Sequence, residues 1–278
     1  MKNLTLVLSG GASKGFAHLG VLQVLEENGI KPSLIVGTSM GALVGGIYST
    51  GKPLDEILTC AKSFGKLGYF SLFTSMFRGY MLKTKKVEDF LQKMLGNLTH
   101  DDCQIPFVAI ATNLNTGEQA TLNSGLLRDN IRASISIPGV FKTKVIDGVE
   151  YVDGGLSNNM AEDVAHALAP NSVIISVDAI GDYATQKETI KIKSLENILN
   201  ASTILTQNIV KIKPHYASLN IVVSQPDISQ FDFKKDKIEK SIEYGRQQGL
   251  KHIEQIKNLL KGNTDENIKK PKAKSKAN

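Results

Sequence analysis

Tryptophan is absent from the 278 residues, cysteine occurs only twice, and aromatic residues make up 6% of the chain. Two isolated cysteines, Cys60 and Cys103, give neither a disulfide framework nor a thiolate metal cluster, and they suit a reducing compartment. Long apolar runs are missing as well, since no stretch approaches the roughly 18 consecutive apolar residues that a membrane-spanning helix requires. Leu4–Leu8 follows Met1, Lys2 and Asn3 and runs into Gly10 and Gly11, so it is too short for a secretory leader and lacks a cleavage site. These absences predict a cytoplasmic chain with at most peripheral contact at the inner face of a membrane. Acid is missing from the last ten residues, which hold Lys269, Lys270, Lys272, Lys274 and Lys276, and outside this cluster the net charge of +6 almost vanishes. With Pro271 and no apolar periodicity, residues 263–278 read as a disordered Lys-rich tail behind one domain spanning 1–262. No nucleic-acid partner is expected of a body so close to neutral.

A hydrophobic fraction of 41% is present, patterned as an α/β protein. Leu4–Leu8 is a short buried strand ending at Ser9-Gly10-Gly11, and helical spacing runs from Gly15 to Asn28, where Gly29 stops it. Residues 34–36 form a second strand and 40–50 a second helix, so the chain opens as strand, helix, strand, helix with a parallel sheet. Further inner strands are expected at 107–111 and Val173–Asp178, with a helix over 126–136 between them. Residues 145–146 and 149–152 flank Asp147-Gly148, the signal of a tight hairpin, which sets Asp153 just past its second strand. A late strand at 220–223 and a long amphipathic helix, Lys235–Lys261, close the domain.

Gly37-Thr38-Ser39-Met40-Gly41 lies directly between a buried strand and a helix, the context in which a G-x-S-x-G string acquires chemical meaning. Such a turn projects its central serine above the sheet, and glycine two residues to either side removes a collision with the flanking backbone. It also puts Ser39 at a helix start, where free N–H groups favour developing negative charge. A serine that merely capped the helix would not need glycine on both sides.

Ser9-Gly10-Gly11-Ala12-Ser13-Lys14-Gly15 also joins a strand to a helix. A dinucleotide loop would want an acid at the end of the second strand, but that strand runs into Gly37. A phosphate loop fails too, because Lys14 precedes Gly15 and no Ser or Thr follows. The reading that remains is an oxyanion hole built from the N–H groups of Gly10, Gly11 and Ala12, with Lys14 adding positive charge near a lipid phosphate.

A serine nucleophile needs a proton acceptor. None of His18, His100, His166, His215 and His252 follows a strand in a way that aims it at Ser39. Asp153 does, and Gly154-Gly155 behind it let the chain turn into a crowded site; as a base it would have to be close to Ser39 and partly dehydrated.

These blocks resemble those of the patatin-like phospholipases over roughly residues 4 to 260. Residues 10–15 match the family's oxyanion loop, 37–41 its nucleophile elbow and 153–155 its base motif, while 132–141 resembles the segment that approaches the site before the base hairpin. The resemblance implies a three-layer α/β/α fold with a mostly parallel mixed sheet, a Ser39–Asp153 dyad, lipid acyl-ester substrates, and neither cofactor nor metal. Two positions depart from the pattern: Ala12 stands where glycine is common, and Met160-Ala161 replaces a frequent Leu-Pro. The same dyad could serve acyl transfer, and a lipid-binding regulator with little turnover is the reading outside catalysis. Residues 64–81, rich in aromatics and flanked by lysines, are expected to form a lid or interfacial patch that meets lipid, as could the basic tail. Oligomeric state is not legible in the sequence.

Overall fold

The structure, a computed structural model, describes residues 1–64, 79–181 and 193–262. Strands β1 (Leu4–Leu8), β2 (Leu34–Thr38), β3 (Phe107–Asn113), β4 (Gln119–Leu122), β5 (Lys144–Ile146), β6 (Val149–Asp153), β7 (Val173–Asp178) and β8 (Leu219–Val222) join in one sheet. Its order is β5-β6-β3-β2-β1-β7-β8, with β4 paired to β3 off this path. The pairs β1–β2, β1–β7, β2–β3 and β7–β8 are parallel, and those among β3, β4, β5 and β6 are antiparallel. The helices are α1 (Ala17–Glu27), α2 (Met40–Ser49), α3 (Leu54–Phe64), α4 (Gly79–Leu95), α5 (Leu127–Ser134), α6 (Glu162–Leu168), α7 (Lys193–Ile212) and α8 (Lys235–Lys261). None among the described residues is long and apolar enough to cross a membrane.

Alternation along the inner strands makes three layers. Leu4, Leu6 and Leu8 of β1, Ile35 of β2 and Val173, Ile175 and Val177 of β7 share one core with α1, α2, α3, α4 and α8. Val7, Leu34, Val36, Val108, Ile110 and Ile174 point the other way, onto Val164 and Ala165 of α6 and the preceding Met160 and Ala161. Period-two burial on both faces is what a central α/β sheet requires.

The packing of α1 on α8 depends on missing side chains. A Cβ on Gly20 would come within 2.0 Å of the Ile242 carbonyl oxygen, and one on Gly245 within 1.9 Å of that of Ala17. Backbone therefore meets backbone at this crossing. Gly245→Ala is expected to destabilise the fold by roughly 2 kcal/mol, the scale of core overpacking, as a lowered midpoint in urea unfolding; an unchanged midpoint would mean that the helices separate freely.

The register of β3 brings two other strands together. Ile110 pairs with Thr38 on one edge and Thr121 on the other, and Ala111 pairs with Asp153 and Ala120 in the same way. β2 and β6 therefore lie end to end along one edge of β3, β2 arriving parallel and β6 antiparallel. Their C-terminal ends meet head-on, at Thr38 and Asp153.

The expected boundaries shift in a few places. Asp153 is the last residue of β6 rather than one beyond it, and the helix read from Gly15 begins as a one-turn 3-10 helix over Ala12–Phe16, closed by the Lys14 N–H donating to the Gly11 carbonyl. The 64–81 patch falls largely outside the described residues, and the 263–278 tail entirely.

Candidate active site

Ser39 occupies the turn between β2 and α2 with φ +52° and ψ −119°, a conformation that L-residues avoid and that neighbouring contacts must hold in place. A Cβ on Gly41 would lie 2.2 Å from the Leu8 carbonyl oxygen, and one on Gly37 2.5 Å from that of Gly41, which is the collision anticipated for this turn. The Ser39 N–H donates to Ser134 Oγ at 2.9 Å, and that hydroxyl donates to the Ile110 carbonyl at 2.5 Å. Thr38 Oγ1 donates to the Asn158 carbonyl at 2.9 Å. Ser134 thus ties the strained turn to β3. Ser134→Ala is expected to lower stability by about 1–3 kcal/mol, because it leaves the buried Ser39 N–H unpaired, with turnover falling alongside. Thermal unfolding and ester hydrolysis measured on the same preparation check this.

Ser39 Oγ donates to Asp153 Oδ2 at 2.6 Å, and the Gly155 N–H donates to Oδ1 at 2.8 Å. Both side chains are buried. Burial disfavours the charged carboxylate and pushes the Asp153 pKa up to about 6, against the two hydrogen bonds that pull it down. A carboxylate of that basicity in contact with a hydroxyl can accept its proton. Gly154 and Gly155 carry the chain into a 3-10 turn directly behind Asp153, and a Cβ on Gly154 would meet the Ile110 carbonyl oxygen at 2.1 Å.

The glycine loop requires two corrections. The Gly10 N–H donates to Asn159 Oδ1 at 3.1 Å, so this one of the three expected donors is already engaged. The N–H groups of Gly11 and Ala12 have no hydrogen-bond acceptor among the described residues. Ala12 takes φ +47°, a left-handed conformation that suits the glycine more usual there. Lys14 is fully buried and its Nζ donates to the Gln225 carbonyl at 3.3 Å, so it supports the loop from within instead of meeting a phosphate. Gly10 packs against the serine, where a Cβ would lie 3.1 Å from that of Ser39.

The histidines are engaged elsewhere. His18 Nε2 meets the Ser9 carbonyl at 2.8 Å, and burial lowers its pKa to about 4. His100 Nδ1 bonds the Phe107 carbonyl, His252 Nδ1 the Gln248 carbonyl, and His166 stacks on Tyr216. His215 lies with Nδ1 3.6 Å from the Glu162 carboxylate. Among the described residues no group of three or more His, Cys, Asp or Glu could hold a metal ion.

Ser39 lies where two recesses meet. One, of about 50 Å³, is apolar and lined by Met40, Leu43, Val87, Phe90, Phe141 and Phe233 among others. The second, of about 70 Å³, is mixed, with Asp153, Asn159, Ser202, Thr203, Thr206 and Gln230 in its wall. Ile137 borders both. The 132–141 segment thus reaches the site as expected. Ser134 and Asn159 are not recoverable from the sequence, because a serine inside that segment and an asparagine four residues after Gly155 carry no spacing signal of their own.

A buried serine at a strand-to-helix turn of an α/β sheet thus meets a buried carboxylate in a recess that Gly11 and Ala12 also line, their N–H groups without an acceptor among the described residues. The sequence profile of the patatin-like phospholipases matches residues 6–166, and the chain belongs to that family. An uncharacterized NTE family protein of Mycobacterium tuberculosis is 37% identical over 154 residues, covering 55% of this chain and 42% of the relative. A lysophospholipase NTE1 of Mycosarcoma maydis is 32% identical over 185 residues, covering 65% of this chain and 10% of that protein. The chain thus spans less than half the length of these relatives. Among solved structures, VipD from Legionella pneumophila aligns with a TM-score of 0.53 at 13% identity, covering 92% of this chain and 67% of that one, a likeness of fold.

Proposed function

We propose that residues 1–262 are a catalytic unit that hydrolyses carboxylic esters of phospholipids or related acyl lipids, with Ser39 as nucleophile and Asp153 as base. The observation that carries the reading is the 2.6 Å hydrogen bond from Ser39 Oγ to a buried Asp153 whose pKa stands near 6. As Oγ bonds to the carbonyl carbon, its proton passes to Asp153 and negative charge develops on the carbonyl oxygen. The N–H groups of Gly11 and Ala12, which have no acceptor among the described residues, are the proposed receivers of that charge, and each such donor is worth about 10²–10³ in turnover. Collapse of the intermediate breaks the ester C–O bond, and Asp153 returns the proton to the departing alcohol. Water then attacks the acyl-Ser39 ester, giving its proton to Asp153, which hands it back to Ser39 as the fatty acid leaves. The apolar recess suits the first carbons of the acyl chain and the mixed recess the alcohol. No cofactor enters the cycle.

Covalent labelling by a fluorophosphonate tests the proposal. Wild type is expected to be labelled, as is a variant with an exposed lysine changed, while Ser39→Ala is not. An unlabelled wild type that is folded by circular dichroism would remove Ser39 as the nucleophile.

A further inference from the structure

Helix α7 buries hydroxyls beside apolar groups and leaves a row of aliphatic side chains on its outer face. A helix on the outside of a sheet ordinarily turns its apolar stripe inward and its polar face to water. Here Thr203 and Thr206 face in: Thr206 Oγ1 donates to the Gly155 carbonyl at 2.9 Å, and Thr203 Oγ1 to that of Leu199. Both, with Ser202, line the recess that holds Ser39 and Asp153. Leu199 is buried and Ile209 and Val210 are half-buried, but the other large aliphatics described on the helix point away. Ile198 is 49% exposed, Ile204 43%, Leu205 58% and Ile212 81%. Ile198, Leu205 and Ile212 recur every seven residues, which sets them along one line of the helix surface. From Asn197 to Val210 the sequence holds no charge, and no acid occurs between Glu196 and Asp227, whereas Lys211 is exposed.

We infer that the outer face of α7 is the surface by which this protein lands on an anionic lipid bilayer, an inference that rests on the acyl-lipid reading of the site. A second copy of the chain is disfavoured by area: four partly exposed aliphatic side chains offer on the order of 400 Å², about half of the ~800 Å² that each partner buries in a standard stable interface. A bilayer needs no such minimum. An apolar helix face beside basic residues sinks about 5–10 Å into the headgroup region. With side chains a helix is about 10–12 Å across, so the recess on its far side would then stand at or just above the headgroup surface, within reach of a lipid that rises partly out of the leaflet. The helix that walls the site thereby sets its height above the bilayer.

The experiment pairs flotation on phosphatidylcholine vesicles, with and without phosphatidylglycerol, with turnover of a short soluble ester, using the full chain. Ile198→Asp with Leu205→Asp is expected to weaken vesicle binding and hydrolysis of vesicle phospholipid by at least about tenfold and to leave soluble-ester turnover unchanged. Leu250→Asp, at an exposed leucine on α8, is expected to change neither. If the double acid variant loses soluble-ester turnover, Ile198→Gln with Leu205→Gln replaces it, with the same expected split. Vesicle affinity that is absent in wild type, or unmoved by either pair, overturns the inference. So does a concentration-dependent dimer in sedimentation that the substitutions abolish, which would make the face a contact between copies. Should wild type bind vesicles through α7 but cleave no ester, the catalytic reading fails and the docking surface stands.

Discussion

Asp153→Asn is expected to lower turnover of a soluble ester by roughly 10³-fold or more, within the range of a lost general base, while Ser39→Ala removes at least about 10⁴-fold. The asymmetry has a physical source. Without Ser39 no acyl-enzyme forms, whereas an asparagine preserves a partner for the hydroxyl and leaves the Gly11 and Ala12 N–H groups in place. The pH profile carries the more specific expectation. Only the carboxylate accepts the proton, so wild-type kcat/KM should fall tenfold per unit below a pH of about 6 and level off above it. An inflection near 4 would mean that Asp153 is more hydrated than its burial implies. One near 7 that persists in Asp153→Asn would point to an imidazole in its place.

Much of this site is legible in the sequence because its parts are punctuated by glycine. Gly37 and Gly41 flank Ser39 where any Cβ would strike backbone, and Asp147-Gly148 announces the hairpin that delivers Asp153. The meeting of Ser39 and Asp153 is a different matter. It depends on β2 and β6 sharing one edge of β3, and strand order is a property of tertiary pairing that no local pattern encodes. Gly10 is misread for the same reason, since Asn159, the acceptor of its N–H, lies 149 residues away. Lys14 reads as a ligand group because a charged residue is ordinarily exposed. Its burial depends on the Gln225 carbonyl, which accepts from Nζ, and on α8, where Ser241 Oγ donates to the Lys14 carbonyl. β4 and α6 escape a sequence reading because one is only four residues long and the other seven, too short for periodicity to declare itself. α7 is the more instructive case. Its apolar spacing is visible in the sequence, but spacing alone would turn Ile198 and Leu205 toward the sheet, and only the structure turns them outward.

Replacing Asp153 by asparagine should also make the protein more stable at neutral pH while it destroys activity. The ordinary carboxyl pKa of 3.8 is raised in the folded chain to about 6. The folded state therefore holds the proton more tightly than the unfolded one, and stability declines as pH rises from about 4 to about 6, where the buried group is forced to ionise. Two units of difference amount to roughly 3 kcal/mol of destabilisation that is complete above pH 6 and absent below pH 4. Asparagine is never charged and avoids it. Asp153→Asn is thus expected to raise the midpoint of thermal unfolding by several degrees at pH 7.5 and by almost nothing at pH 4. The sign of this dependence separates a desolvated catalytic carboxylate from a structural one held by ion pairs, whose loss would destabilise most at neutral pH. A variant less stable than wild type at pH 7.5 would show that Asp153 chiefly braces the turn through its bonds to Ser39 and Gly155. A more stable but inactive variant is the outcome expected where burial has been retained at the expense of stability because the reaction needs a basic carboxylate.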